Sequence, residues 1–137
     1  MPLRTMTLAL AAALCALALS GCASTASTAK FSGEKHAAAQ AFANLQSAAS
    51  AGEGAKICSD YLTKAIVSEL GGRKGCESAL KHQLAQVDNL EAAIESVTLA
   101  SGGQSATASV KSIYFGKSKL ANVALAKEGG SWKVSGP

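Results

Sequence analysis

The apolar residues of this 137-residue chain change their spacing once, near Asp88-Asn89, and that change limits the fold more than any other feature. Before it they recur every three or four positions; after it they alternate. The first spacing lines up side chains along one stripe of a helix, the second along one face of a strand. Helices first and an antiparallel meander second is the pattern of an α+β domain, with helices covering one face of a single sheet of about four strands.

In the helical half, Ala38, Ala41, Phe42, Leu45, Ala48 and Ala49 form one stripe of a helix from about Ser32 to Ala49. Ser32 stands at its N-cap, and Gly52 suits a left-handed C-terminal cap. A second helix opens near Glu53, whose charge matches the positive end of the helix dipole. It carries Ile57, Cys58, Tyr61, Leu62 and Ile66, with a break at Thr63 that caps a short further helix. The run Gly71-Gly72-Arg73-Lys74-Gly75 reads as a turn without regular structure. A third helix is then expected from Cys76 to about Val87, with Ala79, Leu80, Leu84 and Val87 inward.

In the other half, Ala93–Ala100 reads as a strand and Ser101–Gln104 as a turn. Ser105–Tyr114 puts Ala106, Ala108 and Val110 on one face. Phe115–Ser118 turns again. Lys119–Lys127 follows, with Ala121, Val123 and Leu125 on one face. Glu128-Gly129-Gly130-Ser131 is a hairpin turn, and Trp132-Lys133-Val134 closes the sheet with Trp132 and Val134 inward.

The N-terminus carries a different signal. Met1–Arg4 is weakly basic, and Leu8–Leu19 is an apolar run of about a dozen residues, too short for a permanent membrane span but suited to a signal peptide. It ends in Leu19-Ser20-Gly21-Cys22, which resembles the lipobox of bacterial lipoproteins. That resemblance implies cleavage between Gly21 and Cys22, a diacylglyceryl anchor on the Cys22 thiol, and a place on the extracytoplasmic face of the cell membrane. Two acyl chains hold a protein on a membrane where one does not. The expected organisation is a signal peptide over 1–21, the lipidated cysteine and a flexible tether over 22–31, and one α+β domain over 32–137. The small polar stretch Ala23–Lys30 fits the tether.

The cysteine count agrees with export. Cys15 leaves with the leader and Cys22 takes the lipid, so Cys58 and Cys76 remain. In an oxidising compartment that pair is expected to form a disulfide, worth roughly 3 kcal/mol in the chain-entropy picture. Two buried free thiols are the alternative. His36 and His82 have no partner at ligand spacing, so no metal site is expected. Of the 13 basic residues only Arg4 lies in the leader, leaving 12 against 9 acidic ones. So mild an excess does not indicate nucleic acid.

From Ser32 to Ser135 the chain resembles the nuclear transport factor two-like superfamily, which includes ketosteroid isomerase-like and SnoaL-like folds. It is similar in particular to small exported actinobacterial lipoproteins of that fold. The resemblance rests on AFANLQSAASAGEGAKICSDYL, the cysteine pair around the second and third helical segments, SGGQSATASV, and the ending NVALAKEGGSWKVS. It implies a cone of helices on a strongly curved sheet with a cavity at the open end, for which Phe42, Tyr61, Phe115 and Trp132 are candidate cavity or core residues. A homodimer is one partner it implies; no cofactor is.

Isomerases of this superfamily use a carboxylate base with a tyrosine and a neutral acid. The candidates here are Asp60, Tyr61 and Asp88, and no acid occurs between Glu95 and Glu128 on the strands. Gly52–Lys56 lacks the spacing of a phosphate loop. Lys111, Lys117 and Lys119 read as a solvated sheet edge or as a patch facing anionic lipid. The expectation is a non-enzymatic, membrane-anchored lipoprotein that binds a protein, an envelope component or a small apolar ligand; an isomerase or cyclase is the alternative.

Overall fold

In the computed structural model, which describes residues 26–85, 91–114 and 116–137, the helices precede a four-stranded antiparallel sheet of order β1-β2-β3-β4. The helices are α1 (Gly33–Ser50), α2 (Gly54–Lys56), α3 (Lys64–Glu69) and α4 (Gly72–Leu84), and a π-helical turn over Ile57–Tyr61 follows α2 directly. The strands are β1 (Glu91–Leu99), β2 (Ser105–Tyr114), β3 (Lys117–Glu128) and β4 (Ser131–Gly136). The class is α+β, as the change of period implies.

The sheet is a plain meander. β2 and β3 pair without interruption from Ser105↔Ala126 to Tyr114↔Lys117. The β1–β2 ladder shifts register between Ile94 and Ser96, and the β3–β4 ladder between Ala124 and Leu125. Bulges of this kind bend strands and raise their twist, which curves the sheet. Gly129 and Gly130 both have positive φ, 57° and 81°, as a two-residue turn matching the strand twist requires.

α1 seals this sheet with alanine. Ala38 and Ala39 are fully buried in one cluster with Ala106, Ala108, Leu125, Val97 and Trp132. Alanine carries nothing beyond Cβ, so helix and sheet come close there. The buried face of α1 is rotated from the expected stripe: Ala39, Ala43 and Gln46 are buried, while Ala41, Phe42, Leu45 and Ala49 are only half-buried. The cause is residues 26–31, placed in the tether by composition, which run back along α1. The Ala26 N–H donates to Gln46 Oε1 at 2.8 Å, Thr28 Oγ1 to Gln40 Oε1 at 3.1 Å, and Ala26 itself is buried. On β3, Ala121, expected inward, is exposed; the inward face starts at Val123.

Three groups lock the N-terminal end of α1 to the end of the sheet. Glu34 Oε2 accepts from the Trp132 indole Nε1–H at 2.9 Å and from Lys127 Nζ at 2.9 Å. The Lys127 ammonium lies 5.4 Å from the centroid of the Trp132 ring. Lys127 and then Trp132, both donating to the carboxylate, hold Glu34 below its ordinary pKa of 4.5.

α2, the π turn, α3 and α4 form a second layer with its own cluster around Ile57, Cys58, Leu62 and Cys76. Leu62 N–H donates to Ile57 O at 3.1 Å, the five-residue step of the π turn. The chain then extends, and Thr63 N–H donates to Val134 O at 3.0 Å, which covers the edge of β4. The break at Thr63 falls where expected, but its hydroxyl caps nothing. Thr63 Oγ1 is buried without a partner. The Glu128 carboxylate accepts the Lys64 N–H instead, at 3.1 and 3.3 Å. Ser32 likewise occupies its N-cap position without a side-chain bond.

The glycine run is the clearest departure from expectation. It holds the first turn of α4, which starts at Gly72, four residues before Cys76. Gly71, at φ 91°, turns the chain, and at Gly75 a Cβ would collide with the Leu70 carbonyl oxygen. Glycine lowers helix propensity by about 1 kcal/mol, yet only glycine admits this approach of the two helices.

Two substitutions test these contacts. Thr63→Val removes an unsatisfied buried hydroxyl at constant shape, so urea unfolding should show stability unchanged or slightly raised; a loss of about 1 kcal/mol, the usual worth of an N-cap, would mean that the hydroxyl caps α3. Glu34 has a lowered folded-state pKa, so its contribution is present above about pH 4.5 and disappears as pH falls through the folded-state value. Glu34→Gln should therefore be less stable than wild type at pH 7, and the gap should narrow toward pH 3; a constant gap would refute the charge role.

Candidate functional site

Between the two clusters the packing leaves an open cleft of about 400 Å³. α1 supplies Phe42, Leu45 and Ala49 to one wall. The second layer supplies Ile57, Leu62, Ile66, Leu80 and Leu84 opposite, and Val123 of β3 and Val134 of β4 form the floor. Gly136 and Pro137 lie at its rim. Every described lining residue is apolar. The volume lies in the range of small-ligand sites, which bury most of a ligand's surface against apolar side chains.

The physical origin of the cleft is legible in α1. Ala38 and Ala39 of the helix pack on the sheet, Leu45 and Ala49 pack on the second cluster, and Phe42, which also packs on the sheet cluster, borders the gap between them. The alanine side closes and the other side stays open, so the residues most apolar by sequence are left half-exposed. Leaving such surface uncovered costs about 25 cal/mol per Å².

The candidate residues separate. Phe42 lines the cleft. Trp132 is buried on the sheet side, its indole committed to Glu34. Tyr61 is half-buried and packs on the second cluster. Phe115 and Asp88 fall outside the described residues, as do Gly21 and Cys22. Asp60 is exposed and accepts from Ser59 Oγ at 2.8 Å. The described lining therefore offers a guest neither a carboxylate nor a hydroxyl side chain. Glu53 and Lys56, in the glycine-containing stretch before the π turn, pair with each other at 3.8 Å on the surface. His36 Nδ1 lies 3.2 Å from Thr28 O, and among the described residues no group of three or more His, Cys, Asp or Glu side chains could hold a metal.

Cys58 and Cys76 form a disulfide, with Cα atoms 6.1 Å apart and a sequence separation of 18. It ties the π turn to α4 directly behind the Ile57 and Leu62 wall of the cleft. Leu80, Leu84 and Val134 were readable as inward from periodicity. That they face a gap was not, since nothing local separates an apolar side chain in a sealed core from one in an open cleft.

No family model matches the sequence, and no curated protein matches it. Among solved structures, the chain is similar to a Campylobacter jejuni crystal structure provisionally described as an NTF2-like transpeptidase. Identity is 18% and the TM-score 0.46, over 67% of this chain and 91% of that one.

Loss of the disulfide in Cys58→Ala/Cys76→Ala should lower unfolding stability by about 2–4 kcal/mol. It should affect the second layer most. Thermal unfolding by circular dichroism checks the first; an unchanged midpoint would show that the bridge adds nothing to the layer.

Proposed function

We propose that this chain is a lipoprotein held on the extracytoplasmic face of the membrane through Cys22, and that its domain is a non-catalytic binder of a small apolar ligand. The cleft carries the second part: an apolar hollow of about 400 Å³ whose described lining contains no titratable side chain. An isomerase or cyclase needs groups that move protons at the guest. A binder needs only shape and water exclusion. Leu19-Ser20-Gly21-Cys22 carries the first part, and the paired Cys58 and Cys76 suit an oxidising compartment.

Two measurements test the reading separately. N-Phenyl-1-naphthylamine, which fluoresces in apolar surroundings, should bind the wild-type protein saturably. Ala49→Trp fills the cleft from α1 and should weaken that binding at least tenfold while circular dichroism stays native. Undiminished binding in the filled variant would refute the cleft as the site. For the anchor, the intact mass of protein extracted from membranes should show a diacylglyceryl group on Cys22, and Cys22→Ala should leave the membrane fraction. An unmodified Cys22 would remove the anchoring claim.

A further inference from the structure

The hairpin joining β2 and β3 extends well past the end of the β3–β4 pairing. β4 pairs with β3 only over Ala124–Glu128, so Lys117–Asn122 has β2 as its sole paired neighbour among the described strands. All six residues of that stretch are exposed. Leu120 is 65% exposed and Ile113, opposite Ser118, 41%. These are the two most exposed large apolar side chains of the described residues, and they share one end of the sheet. Lys111 faces Leu120 across the ladder, and Lys117 and Lys119 extend from the opposite face of the same hairpin end. Among the described residues, Glu91 and Glu95 of β1 are the acidic groups at this end, and Lys30 reaches across to the Glu95 carbonyl at 3.0 Å. By the described residues the end is net basic, with apolar side chains next to the lysines.

The N-terminal segment arrives at this same end. Ala26 and Ser27 border one hollow with Glu91, Lys111 and Ile113. Ala26 follows Cys22 by four positions, and a chain spans at most about 3.5 Å per residue, roughly 14 Å here. Whatever holds Cys22 therefore lies within reach of the hairpin.

We propose that the β2–β3 hairpin end is a membrane-docking surface for anionic phospholipid, with Leu120 and Ile113 entering the headgroup region and Lys111, Lys117 and Lys119 meeting phosphate. The proposal rests on the reading of Cys22 as the anchor. The anchor brings this end to the bilayer, lysines near an anionic surface are attracted to it, and exposed apolar side chains gain by leaving water. Docking fixes the orientation of the domain, which a lipid on a loose tether would leave free.

The test uses the full lipidated protein with Leu120→Trp, reconstituted into vesicles containing brominated phosphatidylcholine, with and without phosphatidylglycerol. Trp132 is buried and serves as an unquenched reference. Emission from position 120 should be quenched at least twofold more strongly when phosphatidylglycerol is present. Added salt, or Lys117→Glu with Lys119→Glu, should abolish that difference. An unquenched Trp at 120 in protein whose Cys22 carries acyl groups overturns the docking and leaves the anchor standing. Equal quenching with and without phosphatidylglycerol overturns the choice of anionic lipid. Shielding of position 120 that tracks protein concentration in detergent, without vesicles, assigns the surface to a second copy of the chain and overturns the proposal. A Cys22 without lipid overturns anchor and docking together.

Discussion

The packing of α1 on the sheet through a core of small side chains is the constraint from which the rest of the molecule follows. Ala38, Ala39, Ala106 and Ala108 lie in one buried cluster, and none carries an atom that could hold helix and sheet apart. A larger side chain at any of them would push α1 off the sheet, at the 1–3 kcal/mol typical of overpacking. With α1 fixed by these contacts and by Glu34 at its first turn, its remaining apolar side chains have only one direction left to face. They face the second layer, which meets them incompletely.

Among the described residues, the second layer attaches to the sheet by few polar bonds. Thr63 N–H to Val134, the Glu128 carboxylate to Lys64 N–H, and Lys133 Nζ to the Ser59 carbonyl at 3.3 Å make up the polar part of the seam. Its apolar part is the wall of the cleft itself. A guest there would add contacts between the two layers as well as to each, so binding and cohesion of the domain are linked.

The strands could be read to within about two residues at their ends because their information is local. Alternation sets the face, and Gly102, Gly103, Gly129 and Gly130 set the turns. What local reading missed were contacts between distant residues. Gln46 and Ala43 are buried because residues 26–31 return along α1, a packing no periodicity encodes. The helix through Gly72–Gly75 ran against propensity because a close approach to Leu70 decided the matter. The Trp132–Glu34 bond joins positions 98 apart. For the cleft, Phe42, Leu45, Leu80 and Val134 were all legible as apolar and inward; the space between them depends on how far two layers stand apart, which no residue states.

The disulfide closes its ring wholly within the second layer, since neither cysteine belongs to the sheet. It stiffens that layer without fastening it to anything else. Strain along the seam then falls on the bonds of Thr63 to Val134 and of Lys64 to Glu128, the layer keeping its own shape. The width of the cleft would follow the separation of two stiff layers more than the rotamers that line it.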